Sequence, residues 1–250
     1  MQKVERKFKI KLYINKKGQV SISDLAKNFN VTSETIRRDL TELKNENFIE
    51  KVHGRAISLQ KETEDPLQER FYQNTKEKEI IALKAIKHLK ENSRIFIDFG
   101  STTLALCEEM SRINDLIIFT NSPLLAKTIL DANSSHEVHI IGGKYSLKMH
   151  QNIGYTTINS ILNEFVDLSI ISTVAIDIEQ GFFNENQHET EIARAMIKSS
   201  KECMLLADNS KINKNGIWKT CSFSQVHYLI SEEKNSTISN ICKKFSINYI

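Results

Sequence analysis

Along residues 1–60 the apolar positions come in short bursts separated by lysines and turn formers. Val4, Phe8, Ile10, Leu12 and Ile14 sit among lysines and stop at Asn15-Lys16-Lys17-Gly18, a pattern that predicts a helix of about ten residues. Gln19-Val20-Ser21 reads as a short strand. Ser21 stands three residues before Asp24, the spacing of a capping box, and Leu25, Ala26 and Phe29 are the buried positions of a second helix. Asn28-Phe29-Asn30-Val31 turns the chain. Thr32 caps a third helix running from Ser33 to about Glu46. Ile36, Leu40 and Leu43 share one face of it. At about 100° per residue, Glu34, Arg38, Thr41 and Asn45 point away from that face, with Thr35 and Arg37 on its flanks. Phe48 to Leu59 then reads as two short strands about Gly54, a β-wing.

The pattern changes after a polar stretch that contains Pro66, which reads as a linker over 59–75. A helical run from Lys76 to Leu89 follows, and from there apolar strands alternate with helices. Ile95-Phe96-Ile97, Leu116-Ile117-Ile118-Phe119, Val138-His139-Ile140-Ile141, Leu168-Ser169-Ile170-Ile171 and Cys203-Met204-Leu205-Leu206 are strand-like, and Val226–Ile230 and Ile247–Ile250 add two more. Such alternation predicts an α/β domain over 76–250 with a mostly parallel sheet covered on both faces. The small unit over 1–58 is separate and reads as a winged helix-turn-helix. Most of the eight glycines fall at strand ends or turns, where backbone N–H groups can approach a ligand.

Composition narrows the class. Forty percent of the 250 residues are hydrophobic and 26% charged, ample for a packed core. The net charge of +3 is modest, but residues 1–60 hold 13 Lys/Arg against 7 Asp/Glu while the remainder is slightly acidic. A basic N-terminal segment on an acidic body points to a polyanion partner. Cys107, Cys203, Cys221 and Cys242 have no zinc-type spacing, so reduced thiols and no metal are expected. The amphipathic N-terminus has no signal core, and no apolar run is long enough for a membrane span. The expectation is a cytoplasmic protein with no membrane partner and no cofactor.

The third helix carries the sharpest chemistry. Its opening, Val31-Thr32-Ser33-Glu34-Thr35-Ile36-Arg37-Arg38-Asp39-Leu40, puts short hydroxyl side chains at a helix N-terminus, where they can bond phosphates and approach base edges. Arg37 and Arg38 can neutralise phosphate or fork onto guanine. The competing reading is a solvated helix face with Arg37 or Arg38 paired to Asp39 or Glu42. Lys51, His53 and Arg55 lie on the wing, suited to phosphate or minor-groove contact. The expected DNA-binding set is Ser21, Thr32, Ser33, Thr35, Arg37, Arg38, Lys51, His53 and Arg55, with double-stranded operator DNA as partner.

The run TSETIRRDLTEL with the KVHG wing resembles the DeoR family of bacterial transcriptional regulators. The match to Thr35-Ile36-Arg37-Arg38-Asp39-Leu40 is complete, and Arg55 stands where the second wing glycine is usual. The resemblance continues in Lys78-Glu79-Ile80-Ile81-Ala82, Asp98-Phe99-Gly100-Ser101-Thr102-Thr103, Thr120-Asn121-Ser122, Gly142-Gly143 and Asp208-Asn209-Ser210-Lys211, in the family's order. It implies a ribose-phosphate-isomerase-like sensor domain that binds a phosphorylated sugar or related metabolite, in a homo-oligomeric regulator, commonly a repressor. The chain departs from the family in three places: Ser101 replaces Thr, Lys144-Tyr145-Ser146-Leu147 lacks the usual Arg, and Ala175 stands in a run that usually contains Gly.

Local physics fits that ligand class. Gly100-Ser101-Thr102-Thr103 lies between a strand and a helix start, where free N–H groups and hydroxyls form an anion cradle. Asp98 and Asp208 can accept from sugar hydroxyls, and Lys211 can neutralise phosphate. The expected effector set is Asp98, Gly100, Ser101, Thr102, Thr103, Thr120, Asn121, Gly142, Gly143, Asp208 and Lys211. Two plainer readings stay open: Ser101 or Thr102 simply caps the helix, and Lys211 is a solvated loop lysine. Of whole-protein alternatives, a sugar-phosphate isomerase-like enzyme with an added N-terminal domain lacks paired carboxylates and a nucleophile with its base. An interaction module binding another protein is disfavoured by the charge split.

Overall fold

The computed structural model describes the chain apart from residues 1–5, 8, 11, 12, 15, 16, 46, 47, 53, 59–69 and 72. It divides into two compact units, Met1–Tyr72 and Gln73–Ile250. Most of the expected linker, and His53 on the wing, lie outside the described residues.

In the first unit residues 6, 7, 9, 10, 13, 14 and 17 are helical. Strand β1 (Gln19–Ser21) leads into helix α1 (Ile22–Phe29) and helix α2 (Ser33–Asn45), then into strands β2 (Ile49–Val52) and β3 (Arg55–Ser58). Local chemistry sets these boundaries. Ser21 Oγ accepts from the Asp24 N–H at 3.1 Å and starts α1. Asn30, with φ 51°, turns into the left-handed region and ends it. Thr32 Oγ1 accepts from the Thr35 N–H at 3.2 Å and starts α2. The wing pairs antiparallel in the order β1-β3-β2, with Val52 opposite Arg55 across the Gly54 turn. Ile36, Leu40 and Leu43 are buried together with Ile10, Ile14, Val20, Leu25, Ile49 and Ala56. Burial of each such aliphatic side chain contributes about 1.5–3 kcal/mol.

The second unit is built on seven parallel strands. They are β4 (Arg94–Ile97), β5 (Ile117–Thr120), β6 (Glu137–Ile140), β9 (Val166–Ser172), β12 (Ser200–Leu206), β14 (Tyr228–Ile230) and β15 (Asn248–Tyr249), ordered β15-β14-β12-β9-β4-β5-β6. Helices lie between them: α3 (Thr75–Ala85), α4 (Ser101–Glu108), α5 (Pro123–Ala132), α6 (Tyr155–Leu162), α7 (Gln187–Lys198) and α8 (Ser236–Lys244). From β4 the chain advances through β5 to β6. It then returns to the other side of β4 and advances through β9, β12, β14 and β15. Crossovers between parallel strands are right-handed, so this reversal puts the two helix sets on opposite faces. Accordingly α3, α4 and α5 pack in sequence, and α6 packs on α7. Phe96, Ile171, Leu205 and Leu229 join Met196, Phe182 and Phe223 in the core.

Two features were not legible as strands. One is the hairpin β7 (Lys144–Ser146) and β8 (Gln151–Ile153). The other is a three-stranded antiparallel sheet of β10 (Ala175–Asp177), β11 (Gly181–Asn184) and β13 (Trp218–Cys221). Their strands are three or four residues long, too short for an alternation of polar and apolar positions to stand out. The helix expected to Leu89 ends at Ala85 and continues as a tight turn, Ile86–His88.

Candidate nucleic-acid interface and effector site

The outer face of α2 is charged and open. The side chains of Arg37 and Arg38 are 61% and 78% exposed, so neither is sequestered in the unit. Each approaches Glu34, at 3.8 Å and 3.4 Å. Exposed pairs of this kind contribute about 0–1 kcal/mol, so a phosphate can displace Glu34 at little cost. The pairing to Asp39 or Glu42 weighed from sequence does not occur for either arginine among the described contacts. Asp39 instead turns inward and takes a forked contact from Arg6, Nε to Oδ2 at 2.7 Å and Nη2 to Oδ1 at 3.2 Å. Glu42 pairs with Lys7 at 2.9 Å.

The hydroxyls at the head of α2 divide their roles. Thr32 Oγ1 caps the helix and lies 2.9 Å from Thr35 Oγ1, while Ser33 is exposed. Ser21 is committed to capping α1 and also donates to Asp24 Oδ2 at 2.6 Å. On the wing, Lys51 Nζ donates to the Arg37 carbonyl at 3.1 Å and to Thr41 Oγ1 at 2.7 Å. Burial, and then the charge of Lys44, holds the Lys51 ammonium below the usual lysine value. Lys51 therefore braces the recognition helix. Arg55 is exposed, pairs in register with Ser21, and flanks a cleft of about 330 Å³ together with Lys17 and Asp24.

In the second unit the expected effector residues line the carboxyl ends of the parallel strands. The strand order reverses between β4 and β9, and the crevice outside such a reversal is where open α/β sheets take ligands. Asp98, Gly100 and Ser101 follow β4 at this point, and Ser172 closes β9 beside them. Asp98 Oδ1 accepts from the Ser172 N–H at 3.1 Å. Burial pushes the Asp98 carboxyl well above the usual range; the Ser172 N–H opposes this and the charge of Glu189 adds to it. This environment favours the protonated form of Asp98, which can donate as well as accept.

Gly100 is the N-cap of α4, and no side chain caps that helix. The capping alternative for Ser101 or Thr102 is therefore not what the structure adopts. The first main-chain bond back to the cap is Leu104 N–H to Gly100 O, 2.9 Å. The amides ahead of it are those that a helix start leaves without an intrahelical partner, at the positive end of the helix dipole. A Cβ on Gly100 would stand 2.2 Å from Ser172 Oγ and 3.1 Å from Ser172 Cβ, so the Ser172 side chain would have to give way to any larger residue there. Thr103 is fully buried and donates to Gly100 O at 3.0 Å; Thr102 is buried beside it.

Thr120 and Asn121, both fully buried, end β5. Thr120 Oγ1 accepts from the Ser122 N–H, while Asn121 Nδ2 donates to Gln151 Oε1 at 2.8 Å and to the Asn152 carbonyl at 2.9 Å. Asn152 Nδ2 in turn donates to the Ile141 carbonyl at 2.8 Å. Gly142 and Gly143 follow Ile141 on the exposed rim. There Thr157 Oγ1 donates to the Gly142 carbonyl and fills the place a Cβ of Gly143 would take.

Asp208 sits one strand beyond β9, at the end of β12. Its Oδ1 accepts from Asn74 Nδ2 at 3.1 Å and from the Ser210 N–H at 3.0 Å, and also meets the Ser210 hydroxyl. Its Oδ2 is buried without a partner. Lys211, half-buried, ends the short turn that Asp208 starts. Asp98 and Asn121 are thus brought into one crevice, while Asp208 and Lys211 form a second polar cluster along the same sheet edge. Gln151, Glu189, Ser172 and Asn74 were not among the expected site residues. The fold brings Gln151, Glu189 and Ser172 to the crevice and Asn74 to the Asp208 cluster.

All four cysteines are free and buried. Burial raises Cys203 to about 12 and Cys242 to about 11, so neither supplies a thiolate at neutral pH. Among the described residues no cluster of acidic, His or Cys side chains could hold a metal ion, and no helix is long and apolar enough to cross a membrane.

Comparison with known proteins agrees with both halves of this geometry. The DeoR-like helix-turn-helix domain matches residues 6–62, and the DeoR C terminal sensor domain matches residues 73–233. The glycerol-3-phosphate regulon repressor of Haemophilus influenzae is 31% identical over 98% of this chain and 95% of its own length. The Escherichia coli glycerol-3-phosphate regulon repressor is 30% identical over 90% and 89%. The transcriptional regulator IolR of Bacillus subtilis is 29% identical over 88% of each chain. Among solved structures, ribose 5-phosphate isomerase from Plasmodium falciparum overlaps 57% of this chain and 55% of its own, with 18% identity and a TM-score of 0.41. The two matches fall on the two units in turn, the first on the helix-turn-helix that carries the outward arginines and the second on the parallel-sheet unit. The chain belongs to the DeoR family of transcriptional regulators, as a helix-turn-helix DNA-binding protein and not as an enzyme.

Proposed function

We propose that this protein is a ligand-controlled repressor acting in the cytoplasm. Residues 1–58 bind operator DNA through α2 and the wing, 59–75 form the linker, and 76–250 sense the effector and assemble a homo-oligomer. Ser33, Thr35, Arg37, Arg38 and Arg55 make the direct DNA contacts, with Thr32, Ser21 and Lys51 holding the elements that present them. His53 completes the wing contact. A single winged unit offers few base contacts, so two copies reading paired half-sites supply the specificity.

The effector is a small phosphorylated polyol or sugar. Its anion sits at the uncapped start of α4, over Gly100, Ser101, Thr102 and Thr103, and its hydroxyls meet Asp98 and Asn121. Thr120, Gly142 and Gly143 shape the rim; Asp208 and Lys211 close the site on the β12 side. The names of the glycerol-3-phosphate repressors support this ligand class. The observation that carries the DNA reading is the exposure of Arg38 opposite the core positions of α2 and of Arg37 on their flank.

The test is an operator-binding titration against salt, using DNA upstream of the gene. DNA binding gives a log–log slope of roughly −0.9 per neutralised phosphate. A flat slope, or wild-type binding by both Arg37→Ala and Arg38→Ala, refutes the assignment. Release or tightening of that complex by sugar phosphates tests the effector half separately.

A further inference from the structure

Asn121 carries a hydrogen-bonding demand that the fold leaves unmet. Its Nδ2 donates to two acceptors on β8, Gln151 Oε1 at 2.8 Å and the Asn152 main-chain oxygen at 2.9 Å. A main-chain carbonyl can only accept, so the orientation of the Asn121 amide is settled by chemistry. Its Oδ1 is turned away from that hairpin, is fully buried, and has no hydrogen-bond partner. Buried side-chain acceptors are nearly always satisfied, and leaving one unmade costs about 1–3 kcal/mol.

The amide chain continues in one direction. Gln151, 2% exposed, uses Oε1 for Asn121, which leaves Nε2 to face Glu189 Oε1 at 3.5 Å. Glu189 lies in the first turn of α7, and its charge is felt at Asp98 on the floor of the crevice. Asn121, Gln151 and Glu189 therefore form a polarised row from the end of β5 to the start of α7. Its unmet demand is for a donor at the buried Asn121 Oδ1, which a fully ionised phosphate cannot supply.

We propose that Asn121, Gln151 and Glu189 are the hydroxyl-reading wall of the effector site. Asn121 Oδ1 accepts from an effector hydroxyl, and Gln151 and Glu189 are positioning residues that hold the Asn121 amide in this sense. The inference rests on the phosphorylated-effector reading above. It adds that Gln151 and Glu189 fix the sense of the Asn121 amide, and that this row sets selectivity between polyol phosphates and their deoxygenated analogues.

The experiment is calorimetric titration of the full-length protein with polyol monophosphates of increasing chain length, each against the alkyl phosphate of the same carbon chain. The expected result is one polyol phosphate binding more than about tenfold tighter than its alkyl analogue, because the analogue leaves a buried acceptor unpaired. In Gln151→Met that ratio falls below about threefold, and in Glu189→Gln it also falls. Circular dichroism checks each fold; if Gln151→Met does not fold, Glu189→Gln decides. Polyol and alkyl phosphates binding equally, or an undiminished ratio in a folded variant, overturns the hydroxyl-reading wall and leaves the phosphate site standing. Binding of no phosphate compound by the parent overturns the effector reading and this inference with it.

Discussion

The Arg6 guanidinium grips Asp39 through two hydrogen bonds, 2.7 and 3.2 Å long, on the inner side of the recognition helix. Asp39 is 1% exposed and Arg6 13%. This contact gives the buried Asp39 its partner on the inner side, while Arg37 and Arg38 approach Glu34 on the outside. The hydrogen bond that Arg6 donates to Asp39, set against burial, raises Arg6 above its ordinary value. Asp39→Ala strands the guanidinium and should cost about 1–3 kcal/mol in the first unit. Chemical denaturation followed in that unit measures it, and a loss under about half a kcal/mol would show the contact to be incidental.

Arg37 and Arg38 should separate DNA affinity from fold. Arg37→Ala and Arg38→Ala are each expected to weaken operator binding by about tenfold or more, with thermal stability unchanged within experimental scatter. A variant that loses a phosphate contact also loses about 0.9 from the salt slope, whereas one that loses a base contact keeps the slope and relaxes sequence preference. Fluorescence anisotropy at several salt concentrations distinguishes the two.

Gly100 should be intolerant for a steric reason alone. Its φ of −167° is open to any residue, so a side chain there meets no backbone strain. The obstacle is Ser172, whose Oγ and Cβ would lie 2.2 and 3.1 Å from a new Cβ. Gly100→Ala should cost about 1–3 kcal/mol and blunt the effector response. Ser172→Gly removes both obstructing atoms. The double variant should therefore be more stable than the sum of the single losses by about 1 kcal/mol, read from a double-mutant cycle. Additive losses would place the strain elsewhere.

Asp98 should give stability a pH dependence of definite sign. Burial raises its folded value, the Ser172 N–H opposing and Glu189 adding. In the unfolded chain Asp98 ionises near its ordinary value of about 4. Its contribution is therefore fully present below about pH 4 and is lost as pH rises toward the folded value. Asp98→Asn keeps the acceptor for the Ser172 N–H and cannot ionise. Its melting temperature should gain on the parent steadily between about pH 4 and pH 7. A constant difference across that window would mean that Asp98 is ionised in the fold.

Much of this could be read in the chain order. The hydrophobic face of Ile36, Leu40 and Leu43 follows from helical spacing, as do the caps at Ser21 and Thr32, because each depends on residues within one or two turns. The central parallel strands were visible as apolar runs because they are buried on both faces, as the burial of Ile95, Phe96 and Ile97 in β4 and of Ile170 and Ile171 in β9 illustrates. The strands of the hairpin Lys144–Ile153 were not, because they are only three residues long, and the sheet around Phe182 is completed by a partner, Trp218–Cys221, far along the chain.

Sequence by itself determined which residues are basic, which helix presents them, and which glycine and hydroxyl loops follow the strands. Tertiary structure decided where the unpaired chemistry falls. It gave Asp39 to Arg6, Lys51 to the Arg37 carbonyl, and Gln151 to Asn121. It also placed the strand-order reversal between β4 and β9, which brings Asp98 against Ser172 from 74 residues away. Propensity and capping act over a few residues, so they are written locally. A hydrogen-bond partner or a neighbouring strand is chosen by the whole packed core, and no local window contains that choice.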